Sequence, residues 1–118
     1  MKIQCSYCGK WFENTDFKPR ETFKGIDEHH NPPKFLTGEK KWNDFEGRCF
    51  FNLCREHHKF LHDEILKIMN KVVGTLKWNG SEYWLLQKLS PNQRKEVTKE
   101  VFEFTNKWIF QSNYNKKE

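Results

Sequence analysis

Two short motifs constrain this chain more than anything else in it: Cys5-Ser-Tyr-Cys8 near the start and Cys54-Arg-Glu-His57 close to the middle. Each holds two metal-competent side chains at the same interval, the one at which a tight turn or a first helical turn presents a pair of ligands to a single ion. Gly9 follows the first pair and supplies the backbone freedom that a knuckle turn needs. Together Cys5, Cys8, Cys54 and His57 make a Cys3His set suited to tetrahedral, structural zinc. A competing set takes Cys49 in place of His57; two facing knuckles are the commoner construction, which favours His57. The plainer reading is four buried, unmetallated thiols, and a Cys-Gly turn is a poor place to bury one.

A zinc staple suits the size of the molecule. At 118 residues and 14.4 kDa the chain amounts to one domain with a modest core. Its 36% hydrophobic content, with eleven Phe and five Trp, describes a folded, aromatic-rich core although 31% of residues are charged. Lys and Arg number 21 against 16 acidic residues, for a net charge of +5. That excess suits a nucleic-acid partner and equally suits ordinary solubility. No apolar run could span a bilayer and the first residues lack the pattern of a secretion signal, so no membrane partner and a cytoplasmic location are expected. Thiols stay reduced there, and four cysteines beside five histidines read as metal ligands before disulfides.

Every Cys and His falls within residues 1–62. The expected organisation is α+β: a small zinc-stapled domain over 1–68 and a helical C-terminal extension over 69–118 packing on it. Pro32 and Pro33 forbid helix just after His29 and His30, which places that pair at the end of a strand or in a loop. CFFNLC reads as a strand. REHHKFLHDEILKIMNKVV reads as a helix, with Phe60, Leu61, Ile65, Ile68, Met69 and Val72 at helical spacing and Gly74 as its stop. A turn at Lys77–Gly80, a short helix near Tyr83–Leu89 and a last helix opening at Ser90-Pro91 follow, the last with Val97, Val101, Phe104 and Trp108 on one face. The closing NYNKKE is expected to fray.

His58 and His62 stand four residues apart on the expected helix, so their rings project from one face and can share a metal. His57 points a quarter-turn or more away, free to serve a different ion. Taken alone, such a pair is often partly exposed surface; its place beside a Cys-x2-His knuckle favours a metal. His29 and His30, adjacent on extended backbone, face opposite ways: one ring can ligate while its neighbour points toward a substrate. A solvated polar loop is the alternative.

In this order the motifs (a Cys-x2-Cys knuckle, His29-His30-x-x-Pro33, then Leu53-Cys54-x2-His57-His58-x3-His62) resemble the HNH endonucleases of ββα-metal (His-Me finger) fold, nearest to the zinc-knuckle variants. The colicin nuclease domains share the His-His and His-x3-His features. The match covers about residues 3 to 68, and four short motifs in sequence seldom coincide by chance. The resemblance implies His30 as general base and His29, His58 and His62 as ligands of a catalytic divalent ion, with Cys5, Cys8, Cys54 and His57 as the structural zinc set. An alternative register makes His29 the base and Glu28 a ligand; the family pattern His-His-x-x-Pro favours His30. The family's middle Asn, usually nine residues before the last helical His, is Cys49 here.

The implied activity is hydrolysis of DNA phosphodiester bonds to 5′-phosphate and 3′-hydroxyl ends. An unprotonated His30 would accept a proton from attacking water, and the ion would stabilise charge growing on phosphate and leaving oxygen. An all-imidazole site suits Zn, Ni or Co, with Mg and Mn as further candidates and Asp27, Glu28, Asp63 or Glu64 as oxygen ligands or orienting partners. Two rival readings are a non-catalytic zinc module binding nucleic acid or protein, and a homodimer through the C-terminal helices using Trp78, Trp84 and Trp108.

Overall fold

The computed structural model describes residues 2–13, 25–74 and 82–115, with backbone alone at 82–84. The turn expected at Lys77–Gly80, Trp78 and the side chain of Trp84 lie outside the described residues. Within them the chain is a small mixed α+β fold with two separate two-stranded antiparallel sheets and packed helices. The elements in order are β1 (Lys2–Gln4), β2 (Trp11–Glu13), β3 (Ile26–Asn31), α1 (Lys34–Thr37), α2 (Glu39–Asn43), β4 (Cys49–Cys54), α3 (Arg55–Val73), α4 (Glu82–Lys88) and α5 (Pro91–Phe110).

β1 and β2 pair from Lys2↔Glu13 to Gln4↔Trp11, and the Cys5–Cys8 turn closes the ribbon between them. Gly9, at φ 80°, donates its N–H to the Cys5 carbonyl at 2.9 Å, and Cys5 N–H reaches Lys10 O at 2.9 Å. Ser6 N–H donates to Asn52 O at 2.7 Å, which fastens the turn to β4. β3 and β4 pair from Ile26↔Cys54 to Asn31↔Cys49. β4 then passes directly into α3, with Cys54 in extended conformation (φ -62°, ψ 159°) as the residue before the first helical turn. That junction puts a thiol and three imidazoles within two turns of helix.

α3 ends where Gly74 takes the left-handed conformation (φ 82°) and returns its N–H to Asn70 O at 2.9 Å. α5 begins with a reciprocal cap: Ser90 Oγ accepts from Gln93 N–H while the Gln93 side chain accepts from Ser90 N–H, with Pro91 at the first helical position. Leu61, Ile65, Leu66 and Met69 of α3 share one buried cluster with Val97, Val101 and Ile109 of α5, and with Leu36, Leu53 and Leu85. α3 runs unbroken past residue 68, so residues on both sides of that position belong to one helix and one core.

One reading of the helical faces needs correction. Phe60 is 46% exposed: about 100° around the helix from the fully buried Leu61, it lies at the edge of the buried face and stacks on Trp108. On α5 the expected face packs on the core, with Val97 and Val101 fully buried, Phe104 and Trp108 against the cluster, and Thr105 and Ile109 continuing the buried line. The expected fraying of the tail is also corrected for 113–115. The Asn115 side chain donates to Ile109 O at 2.7 Å and Ser6 O at 2.8 Å, joining the helix end to the knuckle. Residues 116–118 lie outside the described residues.

The α1–α2 hairpin is held to α5 by Arg94, whose guanidinium donates to the carbonyls of Leu36 and Phe35. The end of β3 is held by Asn31, fully buried, whose Nδ2 donates to Asn106 Oδ1 at 3.1 Å and to Phe102 O at 3.4 Å. No helix among the described residues is long and apolar enough to cross a membrane.

Candidate metal centres

Cys5, Cys8, Cys54 and His57 each bring one donor atom within 4.8 Å of the others. A tetrahedral zinc with bonds of about 2.0–2.3 Å needs donors about 3.4–3.8 Å apart, so shifts of under about an ångström close the set on one ion. The geometry is built locally. The Cys5–Cys8 turn supplies two thiols, and the strand-to-helix junction supplies Cys54 Sγ and His57 Nδ1, 2.9 Å apart. Cys54 N–H also points at Cys5 Sγ, at 3.4 Å, so the two halves already touch. The cluster could bind a metal ion, and its donor set is compatible with zinc.

Thiol electrostatics within this cluster are uneven. Burial works against ionisation of Cys5, but the backbone N–H groups of Cys54, Cys8 and Tyr7 outweigh it and hold the thiol below its ordinary pKa. Burial dominates at Cys54, pushing its pKa up to about 11, with only partial relief from the His57 backbone. A divalent cation would reverse the Cys54 penalty, since coordination requires the thiolate. Tyr7 covers His57: its ring lies 4.5 Å from that of His57 and stacks on Trp108 at 4.1 Å, with Phe60 on Trp108 at 5.6 Å.

A second grouping lies one helical step away. His29, His58 and His62 bring one ring nitrogen each within 4.8 Å of one another. His58 and His62 meet through their Nε2 atoms at 2.9 Å, as the four-residue interval on α3 dictates. His29 enters from β3, with ring centroids 5.5 Å from His58 and 5.4 Å from His62. Burial, then the neighbouring rings of His62, His58 and His30, pull the pKa of His29 down to about 3, which keeps the ring neutral. Its Nε2 is buried with no hydrogen-bond partner among the described residues. A buried, neutral imidazole nitrogen close to two others suits a metal ligand.

Strand alternation separates the two histidines of β3. Asp27, His29 and Asn31 share the face toward α3 and α5; Glu28 and His30 take the other. Among the carboxylates considered, Asp27 is the one that reaches the imidazoles, with Oδ2 3.3 Å from His58 Nδ1. Glu28 stands 3.3 Å from His30 Nε2 and Glu64 pairs with Lys67 at 2.9 Å. Asp63 faces the Tyr7–His57–Trp108 side of α3. His30 packs edge-on against Trp42 at 5.1 Å and beside Phe50, its cross-strand partner. Partial burial and then Lys34 lower its pKa, against an opposing pull from Glu28.

Cys49 stands apart from both groupings. Five residue steps of extended strand take it from Cys54, a reach of about 17 Å, and it lies across from Asn31 at the far end of the ribbon. The structure also brings in residues that motif spacing does not single out: Trp42 beside His30, Tyr7 and Trp108 over His57, and Asn106 on Asn31. The one sequence signal for Trp42 is a tryptophan among lysines in a stretch without hydrophobic periodicity. Comparison of the chain with protein-family models, with curated proteins and with solved structures found no match.

Proposed function

We propose that this chain is a metal-dependent endonuclease of HNH type, a zinc-stapled ββα-metal domain with C-terminal helices that hydrolyses DNA phosphodiester bonds. One observation carries the reading: three imidazoles from two elements converge, one with a buried and unpartnered nitrogen, while the adjacent His30 points elsewhere and stays partly open. A purely structural cluster gives no reason for the second feature. The antiparallel pairing of β3 with β4 and the direct passage of β4 into α3 support the reading, with α1 and α2 inserted between the two strands.

In this reading His29, His58 and His62 would hold a divalent ion, Zn, Ni, Mn or Mg, and Cys5, Cys8, Cys54 and His57 a structural zinc. When bound, the catalytic ion supplies Lewis-acid stabilisation of charge developing on the phosphate and leaving oxygen. His30 takes the proton from the attacking water. Glu28 beside Nε2 favours a proton on that nitrogen and leaves the Nδ1 lone pair to act as base. Asp27 orients His58 so that Nε2 faces the site. Although Cys49 occupies the family's Asn position, the Asn31 contacts to Asn106 and Phe102 hold the end of the base-bearing strand.

The experiment is cleavage of supercoiled plasmid by the full chain with Mg, Mn, Ni or Zn, comparing wild type with His30→Ala. The variant should lose activity on the order of 100-fold or more while binding the same two ions. Equal cutting by both would remove His30 as base. A doubly loaded wild type that cuts nothing would leave the other reading, a non-catalytic zinc module.

A further inference from the structure

The side of α5 that meets the α1–α2 hairpin carries one sign of charge. A groove of about 610 Å³ runs there over apolar Leu36 and Phe45, and exposed Lys41, Lys95 and Lys99 line it with no acidic side chain among its walls. Arg94 also lies in it, but its guanidinium is spent on the Leu36 and Phe35 carbonyls, which fixes the hairpin and hence the groove's width. Lys95 and Lys99 are four residues apart on one helix face, an arrangement of like charges that mildly disfavours an isolated helix. None of the three lysines makes an ion pair among the described residues. Folding thus gains nothing visible from gathering them.

The groove is joined to the candidate site by consecutive residues of α2. Lys41 lines the groove, and Trp42 packs its edge on His30. Two more cations flank the Trp42 ring, Lys34 Nζ at 4.9 Å and the Arg48 guanidinium at 5.8 Å from its centroid. Cations therefore continue from beside His30 into the groove.

We propose that this groove binds the sugar-phosphate backbone of DNA outside the cleaved position, with Lys41, Lys95 and Lys99 each neutralising a phosphate. The choice of DNA as the polyanion rests on the nuclease reading; the charge complementarity does not. Lysine Nζ groups at a groove edge take phosphates as point charges, and the apolar floor suits sugar faces.

The test compares full-length, zinc-loaded wild type with the Lys41→Gln/Lys95→Gln/Lys99→Gln variant, and with a charge-matched Lys2→Gln/Lys67→Gln/Lys71→Gln control. Duplex affinity is read by fluorescence anisotropy across a salt series. Hydrolysis of bis(p-nitrophenyl) phosphate, too small to reach the groove, is read in parallel. The groove variant should bind duplex at least about tenfold more weakly at low salt, with a salt slope reduced by roughly 2 to 3, while the control keeps the wild-type slope. Small-diester hydrolysis should match wild type. Unchanged duplex affinity and slope, the result if the groove served an acidic peptide or a second copy, would overturn the proposal, as would an equal loss in the control. A wild type that hydrolyses neither substrate, with the groove variant still losing its salt slope, would defeat the nuclease reading and leave the groove assignment standing.

Discussion

The carboxylate of Asp27 stands 3.3 Å from Nδ1 of His58, while the Nε2 of the same ring faces His62 at 2.9 Å. A proton shared on the Asp27 side would fix the tautomer with the Nε2 lone pair toward His62, the arrangement by which a carboxylate orients an imidazole for a metal in the proposed site. Asp27 reaches it because strand alternation puts it on the same face of β3 as His29.

Asp27→Asn should therefore weaken metal binding at the three imidazoles by about 10- to 100-fold without touching the thiolate site. Calorimetric titration with Ni²⁺ of protein already holding one zinc measures it. Wild-type affinity in the variant would show that the carboxylate plays no orienting part.

The two candidate fourth ligands of the thiolate site separate cleanly by metal content. His57→Ala should lower zinc retention and melting temperature together, because binding energy at such a site is folding energy. Cys49→Ser should leave both at wild-type values, since Cys49 lies about 17 Å along β4 from Cys54. Zinc released to a colorimetric chelator, alongside thermal melts, reads both variants; the reverse pattern would restore Cys49 to the set.

Asn31 is fully buried and spans from β3 to α5 through Asn106 and Phe102. Asn106→Ala removes one acceptor from a buried amide and should cost about 1–3 kcal/mol in urea unfolding. A change within about 0.5 kcal/mol, the usual range for surface positions, would mean the contact does not anchor the strand.

Gly9 combines a left-handed backbone with a close neighbour: a Cβ there would meet the Tyr114 ring at 2.5 Å. Gly9→Ala should destabilise by at least about 1–2 kcal/mol, from the conformational cost alone, and more if Tyr114 must leave. Denaturation midpoints measure it. Tyr114→Ala in the same background should recover only the steric part, so a full recovery would argue against backbone strain at this turn.

Much of the candidate site was legible because its parts are local. A Cys-x2-Cys turn, a Cys-x2-His junction and a His-x3-His pair depend on backbone geometry over a few residues, and those intervals place ligands in pairs wherever the surrounding chain lies. The same holds for the α3 stop at Gly74 and the α5 start at Ser90-Pro91, which are written in single residues. Short α1 and α2 left no such trace, being too brief to establish a period.

Which pair faces which was settled by the pairing of β3 with β4 and by the packing of α3 on α5. Register puts Ile26 opposite Cys54 and Asn31 opposite Cys49, and a slip of one residue would exchange His29 for His30 at the imidazole cluster. The selection of Asp27 over three other carboxylates, the exclusion of Cys49, and the placing of Trp42 beside His30 all follow from that register and from contacts far apart in the chain. Spacing along a sequence carries short-range geometry; it carries no information about which distant surfaces burial will press together, and that choice belongs to the core as a whole.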